Sequence, residues 1–171
     1  MEKRDLYDIN RNLTGETIYK GSSIPLNKYI LVVLAFIQNS KGDFLIQKRS
    51  IQKSGKYAST GGHAKSGETS IEGIRRELKE ELGLDIKNNE LIFVTTLKRK
   101  NIFRDCYVLL KDISIEQITF NDDEVINCKY VTLNEFKNII KNGESTFTDF
   151  SQTNLNYINI DKLRKESNYG G

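Results

Sequence analysis

The sequence has few of the residues that mark disulfide-rich, redox-active or linker-containing proteins. Cys106 and Cys128 are its only cysteines, and their wide separation fits no metal-binding or CxxC spacing. We therefore predict two reduced, partly buried thiols without a catalytic function. Pro25 is the only proline, and the sequence shows no internal repeat and no composition typical of a disordered linker.

Long hydrophobic runs and a strong excess of one charge are absent too. The longest apolar run, Tyr29–Ile37, is far shorter than the ~18–20 residues of a membrane-spanning helix. Met1–Asp5 leads into no apolar core of the kind found in signal peptides. The formal net charge of +3 is too small to indicate a nucleic-acid-binding surface. We therefore expect a cytoplasmic protein with no membrane partner and no nucleic-acid partner.

The length and composition are those of a single globular domain. The chain has 171 residues, of which 37% are hydrophobic and 29% charged, and this is enough apolar material for one core. We predict one domain over residues 1–171. Within it, 1–28 form an N-terminal hairpin and a connector, and 167–171 form a frayed tail.

Short apolar segments separated by turns predict a β-sheet. The unbroken run at Tyr29–Ile37 indicates a strand buried on both faces, and Phe44–Arg49 is expected to pair with it after a turn at 39–43. A hairpin is expected in 5–20, around Asn12–Gly15. Further strands are expected at Leu91–Leu97, Ile102–Leu110 and Val125–Val131, and further helices at about 133–141 and 154–166.

The strongest local signal is a helix at Ser70–Leu82. Thr69 or Ser70 is a suitable N-cap, and Gly83 can adopt the left-handed conformation that ends a helix with little strain. Apolar side chains recur at helical spacing on one side of this segment, at Ile71, Ile74, Leu78 and Leu82. That side is expected to pack against the sheet.

Three carboxylates share an arc beside the apolar stripe of this helix. Glu77, Glu80 and Glu81 repel one another at such spacing, so a purely structural helix gains nothing from them. A divalent cation would reverse the sign of this interaction. Mg²⁺, with Mn²⁺ as the alternative, prefers such oxygen ligands and often joins protein carboxylates to phosphates. The plainer interpretation is a solvated, charged helix face.

A longer pattern around the carboxylates decides between these interpretations. Its fixed positions are Gly62, Glu68 after five residues, then after seven more Arg76-Glu77-Leu78, one residue, Glu80-Glu81, one residue and Gly83-Leu84. This pattern resembles the Nudix box at every defining position over 62–84. So many matched positions in one window make a coincidence very improbable.

The resemblance implies a fold, an activity and a set of roles. The fold is the Nudix fold of the α/β class, an α/β/α sandwich with a mixed β-sheet, to which this chain adds the N-terminal β-hairpin. Members of the family hold divalent cations against a diphosphate. By position in the box, the metal-binding carboxylates correspond to Glu77, Glu80 and Glu81, the carbonyl oxygen offered to the metal to Gly62, and the pair that orients the acids to Arg76 and Glu68.

Residues close to the box in sequence are candidates for substrate binding. Lys48, Arg49, Lys53 and Lys56 precede the carboxylate loop, and we expect them to bind phosphate oxygens, with Arg49 the strongest candidate. The alternative is an ordinary solvated loop. His63 is the only histidine and is a candidate contact to metal or phosphate, or else a local hydrogen-bonding residue.

An acidic segment at 121–124 precedes the last predicted strand. Proteins with this box often take a further metal-binding or water-activating carboxylate from a loop in this place. Glu124 is the first candidate and Asp123 the second, whereas the alternative is a solvated acidic turn. Phe147–Phe150 is a candidate segment to cover the site.

Features outside the box resemble the isopentenyl-diphosphate isomerase branch of the superfamily. They are the N-terminal hairpin, the segment QKRSIQKSGKYASTGGHAKSGE, and NDDEV before a strand and a TLNEF helix. The isomerases use a cysteine just before the Gly-His pair, where this chain has Ser59-Thr60-Gly61, and they take further metal-binding histidines from upstream. The intact box therefore indicates hydrolysis rather than isomerisation.

We predict a Mg²⁺-dependent hydrolase that cleaves the diphosphate linkage of a nucleoside diphosphate linked to another group, or of a related organic pyrophosphate. Water attacks at phosphorus, and Glu77, Glu81 and Glu124 are all candidates to take its proton. The alternatives are an isomerase-like enzyme and a non-catalytic, ligand-sensing Nudix domain. The partner is a small-molecule diphosphate whose identity the sequence leaves open, and the hairpin is a candidate homodimer surface.

Overall fold

Six strands precede the first α-helix in the computed structural model, which describes residues 1–153, 155 and 159–169. The strands are β1 (Lys3–Tyr7), β2 (Leu13–Tyr19), β3 (Ile30–Gln38), β4 (Phe44–Arg49), β5 (Tyr57–Ala58), β6 (Thr60–His63), β7 (Leu91–Arg99), β8 (Ile102–Leu110) and β9 (Val125–Val131). The helices are α1 (Ser70–Leu82), α2 (Leu133–Lys141) and α3 (Ile160–Tyr169). The predicted α/β class is confirmed.

Strand β3 is the centre of a mixed sheet. It runs parallel to β8 along its whole length, and β7 pairs antiparallel with β8 on the outer side. On its other side, β3 pairs with β4 only at Ile37–Leu45 and Gln38–Phe44, and then pairs with β6 instead. Strand β4 continues away from β3 and pairs with β9 and β5. The sheet therefore divides at this point and leaves a cleft.

Two apolar cores cover the two faces of the sheet. Leu31 and Val33 of β3 face α1, whose side chains at Ile74, Leu78 and Leu82 are at most 1% exposed. On the opposite face, β3 supplies Leu34 and Phe36, and α2 supplies Phe136, Ile139 and Ile140. Burial on both faces explains the unbroken apolar run in β3, as the sequence predicts. The layers form the predicted α/β/α sandwich.

The N-terminal hairpin has its turn earlier than the sequence suggests. The sequence places the turn around Asn12–Gly15, but it lies at 8–12, and Leu13 already begins β2. The carboxylate of Asp8 accepts hydrogen bonds from the backbone amides of Asn10 and Asn12, at 2.8 and 2.9 Å. Arg11 adopts a φ of 67° within this turn. An aspartate that holds the following amides in this way is a local turn signal.

Three sets of contacts hold the hairpin against the rest of the fold. Tyr7 and Tyr29 exchange two backbone hydrogen bonds, at 2.8 and 2.9 Å. Arg11 forms a two-pronged ion pair with buried Asp105 of β8. Asp5 accepts hydrogen bonds from the Ser66 hydroxyl and from the loop that precedes α1. The hairpin is thereby fixed beside that loop.

The helices after the sheet agree only in part with the sequence predictions. Helix α2 has the predicted bounds, and Thr132 and Glu135 cap its N-terminus reciprocally. Helix α3 begins at Ile160 rather than at Asn154, and the prediction for Asn154, Asn156, Tyr157 and Ile158 falls outside the described residues. It continues to Tyr169, within the tail predicted at 167–171, and 170–171 fall outside the described residues. No helix in the described ranges is long and apolar enough to cross a membrane.

Candidate active site

Helix α1 presents its carboxylates because both of its ends are fixed. Thr69 and Glu72 form a capping box at the N-terminus, in which each side chain accepts a hydrogen bond from the other residue's backbone amide. Gly83 ends the helix with a φ of 69°. Any Cβ at Gly83 would lie 2.0 Å from the hydroxyl oxygen of Thr119, so the close approach also requires glycine. The predicted helix and both of its caps are confirmed.

Arg76 connects the acidic side chains to the loop before the helix. Its guanidinium donates to both carboxylate oxygens of Glu68, at 2.6 and 3.1 Å. It also donates to Glu77 at 2.9 Å, to Glu80 at 2.8 Å and to the carbonyl oxygen of His63 at 3.0 Å. Burial raises the pKa of Glu68, but the hydrogen bonds from Arg76 and from the loop outweigh it and hold that pKa below its usual value. Arg76 thus orients two of the three predicted metal ligands.

Gly62 of strand β6 and Glu77 of helix α1 are in close contact. A Cβ on Gly62 would lie 2.4 Å from Oε1 of Glu77 and 2.6 Å from its carboxyl carbon. Strand β6 therefore needs glycine here, because any side chain would displace the carboxylate. Burial raises the pKa of Glu77, although Arg76 opposes this shift.

Glu81 is the most deeply buried of the three predicted metal ligands on helix α1. Its carboxylate is 1% exposed and accepts hydrogen bonds from the Gln47 amide at 2.8 Å and from the Gly61 backbone amide at 3.3 Å. Arg49 approaches its other oxygen at 3.8 Å. Burial raises the pKa of Glu81 to about 8, so this carboxyl keeps its proton at neutral pH in the metal-free chain.

Gln47 has a part in the site that the sequence analysis missed. It is 1% exposed, donates to Glu81, and accepts a hydrogen bond from the hydroxyl of Thr60 at 3.0 Å. Gln47 lies in a strand whose side chains alternate between two buried faces. A polar residue at a buried strand position is unusual, and it is therefore a sequence signal for a functional or structural hydrogen bond. Gln47 connects the divided sheet to the acidic helix.

Glu124 lies opposite the helix, between two of the predicted cations. Lys53 approaches one of its carboxylate oxygens at 2.6 Å, and Arg49 approaches the other at 3.0 Å. Burial raises the pKa of Glu124, but these two cations outweigh it, so the pKa is lowered and the group is ionised. The structure therefore brings together Arg49, Lys53 and Glu124.

The other residues predicted beside them point elsewhere. Asp123 is exposed, and Asp122 rather than Asp123 lines the cavity. Lys48 lies over the ring of Tyr57, 4.4 Å from its centroid, and Lys56 is exposed. Neither lysine lines the cavity. Side chains alternate between the faces of β4, so Lys48 points away from the face on which Gln47 and Arg49 lie.

A cavity of about 350 Å³ lies between helix α1, strand β6, Arg49 of β4 and the segment that carries Glu124. The N-terminal hairpin supplies one wall through Glu2, Arg4 and Lys20, which the sequence analysis did not place in the site. No local pattern marks them, since the hairpin reaches the cavity only through its tertiary contacts. Among the described residues that line the cavity, five are acidic and five are arginine or lysine: Glu2, Glu77, Glu80, Asp122 and Glu124, with Arg4, Lys20, Arg49, Lys53 and Arg76.

His63 lies on the hairpin side of the cavity. Its pKa is lowered to about 4, first because the ring is mostly buried and second because the positive charges of Arg4 and Lys20 oppose its protonation. The imidazole is therefore neutral at physiological pH. A neutral ring can act as a hydrogen-bonding partner but carries no charge toward a phosphate.

The segment predicted to cover the site is mainly part of the core. Phe147 is 7% exposed, stacks with Phe36 and meets Phe136 edge to face. Phe150 packs at the margin of the same cluster. Phe147 does not line the cavity and borders only a second, adjacent recess. The prediction that Phe147–Phe150 covers the site is therefore wrong for the cavity itself.

The donor set fits a divalent cation in its chemistry. Carboxylates and a backbone carbonyl are hard oxygen ligands, and Gly62 leaves room for Glu77 where any other residue would fill the space. Within residues 1–153, 155 and 159–169, no three acidic, histidine or cysteine side chains already converge as a metal site. The carboxylates are held instead by Arg76, Gln47 and Lys53.

The fold agrees with that of known proteins. Residues 28–150 match the NUDIX domain family. The chain therefore belongs to the Nudix family and is an enzyme of the Nudix pyrophosphohydrolase type. It is 34% identical to an uncharacterized Nudix hydrolase of Listeria monocytogenes over 148 residues, which cover 84% of this chain and 88% of that protein.

Similar solved structures support the same fold. The crystal structure of DR0079 from Deinococcus radiodurans matches with a TM-score of 0.73 and 26% identity, over 90% of this chain and 96% of that one. The MutT protein from Methanosarcina mazei matches with a TM-score of 0.50 and 25% identity, over 64% of this chain and 81% of that one. Because the match to DR0079 spans nearly the whole chain, the shared fold extends beyond the box.

Proposed function

We propose that this enzyme is a Mg²⁺-dependent hydrolase that cleaves the diphosphate linkage of a nucleoside diphosphate linked to another group, or of a related organic pyrophosphate. The observation that supports this most is the cavity itself, in which the acids of α1 face the cations of β4 and the hairpin. A bound diphosphate would have positive side chains on one side and the carboxylate ligands on the other.

The charge balance of the cavity favours binding of a metal together with a diphosphate. Five acidic and five basic side chains line it, so neither a free cation nor a free polyanion meets a strong net field. A divalent cation and a diphosphate largely compensate each other when they enter together. Electrostatic complementarity of this kind supports a metal–diphosphate pair as the bound species.

The residues that would hold the cation are Glu77, Glu80 and Glu81, with the carbonyl oxygen of Gly62. When bound, a divalent cation supplies positive charge that offsets the diphosphate and makes nearby water more acidic. A cation at Glu77 and Glu80 would share these carboxylates with Arg76, which donates a hydrogen bond to each of them. Arg49, Lys53 and His63 line the cavity. In this proposal Arg49 and Lys53 hold phosphate oxygens, and the neutral His63 donates or accepts one hydrogen bond.

The attacking water needs a proton acceptor that it can reach. Glu77 and Glu124 both line the cavity, whereas Glu81 is 1% exposed beneath it. We therefore assign the proton acceptor to Glu77 or Glu124 and a supporting ligand role to Glu81. The ion pairs of Glu124 with Lys53 and Arg49 keep it ionised, which is the form a base requires.

Hydrolysis is better supported than the isomerase-like alternative. Ser59 and Thr60, in the place of the isomerase cysteine, are 5% and 3% exposed, and Thr60 is hydrogen-bonded to Gln47. The only thiols, Cys106 and Cys128, are buried and line no part of the cavity. For the ligand-sensing alternative, the full set of box carboxylates would have no purpose. We place the enzyme in the cytoplasm, where two free thiols stay reduced, and propose the hairpin as a homodimer surface.

The test is product release from a panel of nucleoside diphosphate derivatives, organic pyrophosphates and isopentenyl diphosphate, with and without Mg²⁺. We expect Mg²⁺-dependent cleavage that falls by at least about 10³-fold in Glu80→Gln and Glu77→Gln, because each removes a ligand charge. Glu116→Gln, an exposed carboxylate that lines no part of the cavity, is the matched control and should retain full activity. Cleavage that needs no metal, or Glu80→Gln at wild-type rate, would contradict the proposal.

A further inference from the structure

A second recess adjoins the cavity at the division of the sheet. It has a volume of about 430 Å³ and shares Arg49, Lys53 and Gly61–His63 with the first. Its remaining walls come from β3, β8, the segment after α2, and the segment 54–59 that contains β5. A substrate whose diphosphate occupies the cavity can therefore extend its organic group into this recess without leaving the protein surface.

The walls of the recess differ from those of the cavity. Val32, Leu34, Ala58 and Phe147 give it an apolar side. No carboxylate is among the described residues that line it, whereas five line the cavity. Its basic side chains are Arg49, Lys53 and one further arginine on β8, Arg104. The recess is therefore a partly apolar space with a positive potential.

Arg104 is the unusual member of this set. It pairs across from Val32 in the parallel β3–β8 ladder and is half-buried. Its Nη1 atom is buried without a hydrogen-bond partner, and among the residues that the structure describes the guanidinium forms no ion pair. Burial lowers the pKa of Arg104, and no carboxylate opposes this shift.

The Nε atom of Arg4 also lacks a hydrogen-bond partner, but Arg4 forms an ion pair with Glu2 at 3.6 Å. Three further arginines near the site contrast more strongly with Arg104. Arg49 holds Glu124, Arg11 holds Asp105, and Arg76 holds Glu68, Glu77 and Glu80. A guanidinium carries five N–H donors in a fixed fork, and buried donors normally find acceptors. An acceptor group on a bound ligand would satisfy the Nη1 donor of Arg104, as the carboxylates do for the guanidinium groups of the other arginines.

We propose that the recess binds the group attached to the diphosphate, and that Arg104 selects substrates in which this group carries an anion, either a phosphate monoester or a carboxylate. This inference rests on the proposed function, since it assigns the second half of the same substrate. An anion is favoured over a neutral acceptor because a charge-assisted, two-pronged hydrogen bond is the match for a partly buried guanidinium. The apolar wall then packs against the carbon skeleton between the two charged ends.

The experiment compares matched substrate pairs that differ by one anionic group. The phosphate pairs are NAD⁺ with NADP⁺ and dephospho-coenzyme A with coenzyme A, and the carboxylate pair is UDP-glucose with UDP-glucuronate. We expect the wild type to prefer the anionic member of at least one pair by about tenfold or more in kcat/KM. The kind of pair that responds distinguishes phosphate from carboxylate recognition.

Variants at Arg104 show whether this side chain carries the preference. Arg104→Met should abolish it, chiefly through a higher KM for the anionic member, and Arg104→Lys should keep a part of it. Lys41→Met removes a positive charge from an exposed turn and should keep the preference in full. Equal kcat/KM within every pair for the wild type, or an equal loss for both members in Arg104→Met, would overturn the assignment. Thermal melting of each variant shows that it is folded.

Binding separates this assignment from the proposed function. If the wild type hydrolyses no compound of the panel, the hydrolase proposal fails, and calorimetric titration with the same pairs then tests the recess alone. Tighter binding of an anionic member that Arg104→Met removes would uphold the assignment. Equal binding of both members of every pair would overturn it.

Discussion

Gly62 and Glu77 are so close that a Cβ built on the glycine would lie 2.4 Å from Oε1 of the carboxylate. We therefore expect Gly62→Ala to displace Glu77 and to lower metal-dependent turnover at least about a hundredfold, because small misplacements in a catalytic site have effects of that size. Steady-state kinetics with increasing Mg²⁺ measure the loss, and circular dichroism shows whether the fold is kept.

Gly73→Ala is the matched control for this substitution. A Cβ at Gly73 would meet its nearest neighbour, the Cβ of Ala64, at an ordinary 3.5 Å, and alanine favours a helix interior over glycine. We expect wild-type turnover and an unchanged or higher melting temperature for this variant. Equal turnover in Gly62→Ala and Gly73→Ala would show that the Gly62–Glu77 contact has no part in catalysis.

Glu81 gives the metal-free protein a defined pH dependence. Its pKa is about 8 in the folded chain, against an ordinary 4.5, because it is buried. The folded state therefore keeps a proton that the unfolded state releases, so stability present below pH 4.5 is lost as the pH rises through 8. Glu81→Gln removes this titration and keeps an acceptor for Gln47, so its melting temperature should gain on the wild type between pH 5 and 8.5.

The measurement is thermal melting in EDTA across that range, followed by the same series with Mg²⁺. Added Mg²⁺ should raise the melting temperature of the wild type more than that of Glu81→Gln, since a ligand charge is missing in the variant. A constant difference between the two proteins at all pH values would show that Glu81 has an ordinary pKa.

His63 can be titrated without ambiguity because it is the only histidine. Its pKa in the folded, metal-free chain is about 4, against an ordinary 6.5, as a result of burial and of the nearby Arg4 and Lys20. The imidazole proton resonances in an NMR titration should move with a midpoint near 4, and in concentrated urea near the ordinary value. A native midpoint at the ordinary value would place the ring in solvent, away from Arg4.

Arg11 and Asp105 secure the hairpin that forms one wall of the cavity. Asp105 is 1% exposed, and Arg11→Met leaves its carboxylate with Thr96 as the remaining hydrogen-bond donor. We expect a loss of about 2 kcal/mol in the free energy of unfolding, the usual cost of an unsatisfied buried polar group. Urea denaturation measures it. Lys28→Met, which breaks the more exposed pair with Glu16, should change stability far less.

The same substitution tests the position of the hairpin in the site. Since Arg4 and Lys20 reach the cavity only from the hairpin, Arg11→Met should also raise KM for the diphosphate substrate. An unchanged KM together with lower stability would show that the pair serves the fold alone.

The structure is predicted best from the sequence where neighbouring residues in the chain determine it. Helix α1 was predictable to the residue because Thr69 and Gly83 fix its ends, and the strands β8 and β9 because their apolar runs stop at polar segments. Arg49 is a candidate because of its charge and Glu124 because of the resemblance to the family, and the structure places them 3.0 Å apart.

The residues that the sequence missed depend on contacts between distant segments. Arg4 and Lys20 belong to the site only because Arg11 and Tyr7 dock the hairpin on the sheet. The choice of Asp122 over Asp123 depends on the orientation of one turn. No local pattern fixes either arrangement, since burial and direction are set by the whole fold.

Arg76 already neutralises much of the acidic cluster before any cation arrives. The same guanidinium joins Glu68 of the preceding loop to Glu77 and Glu80 of the helix. The loop is therefore braced to α1 along two of its turns, and we expect loop and helix to move as one rigid unit.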